Sequence, residues 1–429
     1  MSDQRTILKG FSWNDCCPWI VMFRTVALAT RARTLLLGAL GLLMTTLGWW
    51  VASKVFIGEE RLGELWSEQP AFAAHVDASV RLPIHAPGGA DTEGFPPPIT
   101  LFGQSIHLGE PLLSTWKKLG QPFYQLFHTS NGTRQLAYYL FGGLWSLVVW
   151  SFFGCAICRI ATVSLAREEH VGLSDAIAFA KRKWLSHVIA PLVPLWGILI
   201  LWIPSVVCGW IMNADVGVVL GGLYWPLALL TGLIMALLGI GLFFGWPLMW
   251  GTIASEGSDS FDALSRSYAY TYQRPLKFFL YVLLAIVLGI LGWIIVTLFA
   301  ETVIYMCYWA TGWGAGFDRI NPGAIAAAAT AAESEQSGTF VLGSRIIYFW
   351  NGCVRVLAAS FSYSFFFVAM TGVYLLLRRD VDQTELDEVY FEEDDEINDL
   401  PPLTTTQEET SAEGDATEPT EGSSDEEQS

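Results

Sequence analysis

Six stretches of the chain are apolar for long enough to cross a bilayer, whose hydrocarbon core of about 30 Å takes roughly 20 helical residues. They are Thr34–Ser53, Leu136–Cys158, Val188–Met212, a run between Asp215 and Glu256, Phe278–Ala300 and Val356–Leu377. Charges bound them: Lys54 closes the first, Arg134 and Arg159 flank the second, Glu301 ends the fifth and Arg378-Arg379 the sixth. The first is long and has 33 residues before it, which fits an uncleaved signal anchor better than a cleaved signal peptide. Pro191, Pro194 and Pro204 predict kinks in the third. The run between Asp215 and Glu256 holds 40 residues without a charge, about 60 Å as a helix. It has room for two crossings, or for one span near Leu227–Trp250 preceded by a segment that dips into the membrane.

Basic residues favour the single crossing, because Lys and Arg collect on the cytoplasmic side. With six spans and a cytoplasmic N-terminus, the inner connections hold 15 basic residues against nine outside. A hairpin within the 40-residue run would invert the rest and place Arg378-Arg379 outside. The expected protein is an all-α, polytopic helical bundle of a cytoplasmic (inner) membrane, with both termini inside. Its parts are a cytosolic segment (1–33), a first span (34–53), an extracytoplasmic loop (54–134), a five-helix membrane domain (135–377) and a tail (378–429).

Charge sharpens that division. The net charge is -17 and mean hydropathy +0.41. Asp380–Ser429 carries 20 of the 41 acidic residues and none of the 24 basic ones, leaving a body of net +3. So acidic a segment with little apolar surface predicts disorder, and the acidity argues against nucleic-acid binding. Only 15% of residues are charged, and 19 Trp and 26 Phe accord with a membrane setting.

An internal repeat is visible at an offset of 87 residues. The segment from Glu169 to Ile177 aligns with that from Glu256 to Leu264, each an acidic loop opening a helix. Ser174 and Ser260 are the expected N-caps, with Asp175 and Asp262 at the positive helix end. Ile177, Ala180 and Trp184 in one copy, and Leu264, Tyr268 and Thr271 in the other, predict amphipathic helices on the inner surface. Both copies start on one side, as in parallel-repeat transporters. The run from Ala254 to Pro275 (ASEGSDSFDALSRSY, then QRP) resembles a loop of a broad group of bacterial multi-span proteins. That group includes the membrane-anchor domain beside some glycerophosphodiester phosphodiesterases. The resemblance covers about residues 135–300 and implies a membrane bundle; the soluble hydrolase domain is absent, so no catalytic residue carries over.

Candidate chemistry is sparse. Cys155 and Cys158 lie within a span and are expected to be packing residues, not a redox pair. Cys16-Cys17 beside an apolar stretch is a candidate acylation site or part of an interfacial helix. His75, His85, His107 and His128 share the outer loop without the spacing of a metal site. In that loop Leu112, Leu113, Trp116, Leu119 and Phe123 predict a helix resting on the outer surface. Glu301 and Arg355 end and begin spans on the same side and are expected to pair structurally. His187 is expected to mark an interface. In the tail, Leu386, Val389, Tyr390 and Phe391 form either a docking motif for a basic cytosolic protein or a continuation of the sixth helix.

No nucleophile–base set, metal motif or cofactor motif occurs in the spans, so an enzyme is not expected. Two functions follow. One is binding or translocating lipid or another amphiphile, which a polar cavity between the repeats would favour. The other is a membrane scaffold whose acidic tail recruits cytosolic partners, which a close-packed apolar interior would favour.

Overall fold

The computed structural model describes residues 17–58, 70–82, 99–101, 104–106, 109–127, 132–330 and 336–390, and Met1–Val389 forms one compact unit. Among the described residues there are eleven α-helices and one antiparallel two-stranded ribbon, β1 (Ile99–Leu101) with β2 (Gln104–Ile106). The class is all-α. Six helices are long and apolar enough to cross a membrane: α2 (Ala32–Phe56), α5 (Thr133–Ala166), α6 (Leu173–Ile211), α7 (Asp215–Glu256), α9 (Pro275–Ala315) and α11 (Gly338–Asp382). The chain is that of a multi-pass membrane protein. The shorter helices are α1 (Val21–Ala29), α3 (Pro70–Val80), α4 (Pro111–Leu126), α8 (Ser260–Gln273) and α10 (Pro322–Thr330).

Asp215–Glu256 is a single uninterrupted helix of 42 residues. A second crossing would need a chain reversal, which it does not contain. The long helices pair as three antiparallel hairpins, α2 with α5, α6 with α7 and α9 with α11. The second members, α5, α7 and α11, also pack on one another and form the centre.

The repeat extends to three units. Each hairpin is preceded by a short helical segment that packs on the second span of the preceding hairpin in cyclic order. Thus α1 lies on α11, the first turns of α6 on α5, and α8 on α7. The copies are not equivalent. The first turns of α6 run straight into its span, whereas α8 and α9 are separated at Arg274 (φ -131°, ψ 52°). Pro275 explains the break, because proline pushes the residue before it out of the helical region and then starts the next helix.

Two expectations about these segments are corrected. The N-caps are Gly172 and Asp259, not Ser174 and Ser260. The Asp259 carboxylate accepts from the N–H groups of Phe261 (3.1 Å) and Asp262 (2.9 Å), a charge-assisted cap one residue earlier than expected. Ser174 instead donates to Asp175 at 3.0 Å, and Asp175 and Asp262 occupy the first turns. Nor does the predicted α8 face turn away from the protein, since Thr271 is buried and Tyr268 reaches α7. The helix buries Ala263, Ser267, Tyr270 and Thr271, and its Tyr268 and Tyr272 hydroxyls donate to the carbonyls of Leu238 (2.7 Å) and Leu237 (2.6 Å) of α7. Gly241 makes this approach possible, since a Cβ there would stand 2.2 Å from the Tyr268 ring.

At the end where α5, α7 and α11 finish, charge is paired. Glu256 accepts from the Tyr374 hydroxyl (2.7 Å) and from Arg266 (3.1 Å), with Arg378 at 3.2 Å. Asp380 accepts from Tyr281 (2.7 Å) and meets Lys277 (2.9 Å), while Tyr270 donates to Asp382. Burial and then the Asp382 carboxylate push the Tyr270 phenol far above its ordinary range.

Candidate functional site

The helix expected to rest on the outer surface does not rest there. Glu110 caps α4, its carboxylate accepting from the Leu113 N–H at 2.9 Å, and Pro111 occupies the first turn where its missing N–H costs nothing. From there α4 runs alongside the spans, packed against α5, α9 and α11. Pro111 lies against Gly289 of α9 and Phe365 of α11, where a Cβ on Gly289 would come within 3.0 Å of either ring. Pro122 packs on Gly143 of α5, and Leu126 joins the cluster of Trp49, Ala52 and Tyr138 at the far end of α2 and α5. Leu112 and Trp116 are buried, whereas Leu113 is exposed. Periodicity marked an apolar stripe on α4; it carried no information on whether lipid or protein covers it.

A proline supplies the contact with α7. Pro247 has no N–H to give the carbonyl four residues back, that of Phe243. The Trp116 indole N–H of α4 donates to that carbonyl at 3.2 Å. The same device recurs nearby: Pro191 frees the carbonyl of His187, and Trp250 donates to it at 2.9 Å. Both prolines stay inside continuous helices. A proline in a span, with an indole elsewhere, was the sequence signal for these contacts.

Trp116 also ends a column of rings through the centre. It meets Trp246 at 6.4 Å and Phe366 at 6.1 Å. Trp246 contacts Trp250 at 5.4 Å, Trp250 stacks on Phe367 at 5.4 Å, Phe367 meets Trp150 at 5.3 Å, and Trp150 stacks on Tyr363 at 4.5 Å. His187 is buried beside Trp250, with Nδ1 at 3.0 Å from the Lys183 carbonyl. It is a buried residue of the bundle. Cys155 and Cys158 are free and buried, the latter with Sγ at 4.0 Å from the Phe367 carbonyl.

The ring contacts between α7 and α9 are those of Phe244 with Phe278 and Phe279. Beyond them α4 stands between the two helices, with Trp116 on α7 and Pro111 on α9. The first half of α7 is bare, with Leu229, Leu233 and Leu237 among many exposed apolar side chains, as are Leu291 and Ile295 of α9. Into this apolar setting α4 carries Glu110, Lys117 and Lys118. Burial pushes the Glu110 carboxyl up, against the N–H groups of Leu113, Ser114 and Leu112 that pull it down. Lys117 and Lys118 are exposed, and Lys118 lies near Tyr363 of α11.

The other singled-out residues fall elsewhere. Glu301, 4% exposed, and Arg355 form a two-pronged pair between α9 and α11, at 2.8 and 3.2 Å. Asn351 donates to the Tyr308 hydroxyl at 2.8 Å near it. The tail does not continue the sixth helix, which ends at Asp382 with Gln383 in the left-handed region. The chain folds back so that Arg167 reaches the carbonyls of Asp387 (3.1 Å) and Val389 (3.3 Å) and Arg378 that of Glu388 (2.6 Å). Val389 is thereby buried and Leu386 half-buried; Phe391 and the acidic remainder lie outside the described residues, as do Cys16, His85, His107 and His128. His75 of α3 packs among Trp49, Tyr138 and Tyr139, and burial lowers its pKa to about 4.

No protein-family profile, curated protein or solved structure matches the chain.

Proposed function

We propose that this protein binds a lipid or another amphiphile where α4 stands between α7 and α9. The observation that carries the reading is the insertion itself: three ionisable side chains on one short helix are set beside long, bare apolar helix faces. An amphiphile needs both surfaces, a polar one for its head and an apolar one for its tail. The aromatic column supports binding over translocation, because large rings pack the centre where a passage would run. In this reading the protein lies in the cytoplasmic membrane with both termini inside, as its basic residues favour. Extraction in native-membrane nanodiscs followed by lipid mass spectrometry tests it. The expected result is one lipid species enriched over the surrounding membrane; a lipid profile identical to that membrane overturns it.

A second reading rests on the clamped root of the tail. Arg167 and Arg378 hold residues 387–389 against the bundle, which favours a scaffold that offers its acidic tail from a fixed point. The resemblance of Ala254–Pro275 to a membrane-anchor domain supports the same role. A partner retained by the full chain and lost on truncation after Tyr390 is the expected outcome; equal retention by both forms excludes it.

A further inference from the structure

We infer that the amphiphile is an anionic lipid, its headgroup held by Lys117 and Lys118 and its chains lying along α7 and α9; this rests on the binding reading above. The three units supply the first argument. Around the centre, α2 packs on α11 and α6 packs on α5. The matching place between α9 and α7 is occupied by α4, which meets one through Pro111 and the other through Trp116. Here one short helix does the work that a full span does at the other two positions, so the apolar walls continue past it.

Charge supplies the second. Helical spacing sets Pro111, Leu112, Thr115, Trp116 and Pro122 on the face that packs, and Lys117 falls on the opposite side. Lys118 stays at its edge, near Tyr363. Two exposed ammonium groups in succession give a positive spot at the foot of an apolar wall. Glu110, the carboxylate that caps this helix, is turned to the backbone N–H of Leu113 at 2.9 Å, so it is committed to the helix start and not to the lysines. A zwitterionic headgroup would bring its own cation against them, whereas a phosphate or carboxylate would accept from both.

The test uses the full chain in vesicles of phosphatidylethanolamine doped with a diazirine-bearing phosphatidylglycerol or with the matching phosphatidylcholine probe. Photo-adducts are mapped by mass spectrometry, with α2 as the lipid-facing reference. The expected result is labelling of α7 and α9 by the anionic probe about fivefold or more above the zwitterionic one, a coupling of ordinary size. Lys117→Gln with Lys118→Gln abolishes the preference and leaves the labelled peptides unchanged, while the Lys→Arg pair retains it. Both positions are exposed, so the variants fold. A preference that survives the Gln pair shows that the lysines do not read the headgroup, though the binding reading stands. Labelling of α7 and α9 no stronger than that of α2 overturns both.

Discussion

The two ends of α7 obey different rules. Its last residues, from Gly245 to Ser255, are enclosed by α5, α8 and α11 and contribute Trp250 to the aromatic column. Its first half leaves Leu223, Leu229 and Leu233 bare. Both ends are apolar, and no charge separates them. What differs is the partner: protein covers one, and in a membrane lipid covers the other. Apolar character alone therefore does not tell a packed core from a lipid-facing wall.

The comparison is broken most easily at its packed end. Phe367→Ala, at 1% exposure, removes the ring between Trp150 and Trp250 and is expected to cost about 3–5 kcal/mol. Leu233→Ala, at 58% exposure, stays within about 0.5 kcal/mol; thermal melts in one detergent compare the two. Next in size is the Glu301–Arg355 pair, where either residue changed to leucine leaves a buried charge alone and costs about 3 kcal/mol. Exchanging the two residues should restore much of the loss, and a double variant as unstable as the sum of the singles argues against the pairing.

Acid provides a third probe, at the far end of α2 and α5. The pKa of His75 is about 4 in the fold against 6.5 for the ordinary side chain. Between those values the unfolded chain binds a proton that the folded one refuses, so stability is intact above pH 6.5. It falls as pH drops to about 4, by on the order of 3 kcal/mol, and falls no further below. Hydrogen exchange of α3 against pH measures this, and His75→Gln should flatten the dependence. The smallest effect sharpens the comparison within α7 itself. Trp116→Phe leaves the Phe243 carbonyl without its donor and costs about 1–2 kcal/mol. Pro247→Ala gives that carbonyl back its helical N–H, so Trp116→Phe should cost less in that background, as a double-mutant cycle would show.

These contrasts mark what the sequence could disclose. Six spans, the single crossing of 215–256 and the pairing of Glu301 with Arg355 were legible because charge is expensive in an apolar setting and so punctuates the chain. The position of α4 was not. Its amphipathic stripe fits a membrane surface and a bundle interior equally well, and only Pro247, read as a freed carbonyl, pointed inside. The third copy of the repeat was also hidden, because α1 has no acidic loop before it like Glu169 or Glu256 to align. At the helix starts, residue type does not separate Ser260 from Asp259, and backbone geometry decides which of the two neighbouring caps is used.

The last span has one more implication, for how the molecule is made. α11 touches α1, α2, α5, α7 and α9, and α4 as well, so the first α-helix of the described chain finds its main seat on the last. A ribosome delivers residues 338–382 after all the other described helices, and until then Trp150, Trp250 and Trp116 have no Phe366 or Phe367 to close on. Two hairpins can therefore enter the membrane one by one, but the centre sets only when α11 arrives. A stop codon ahead of α11 would release two hairpins and an unpaired α9, with α5 and α7 lacking the helix that closes the centre.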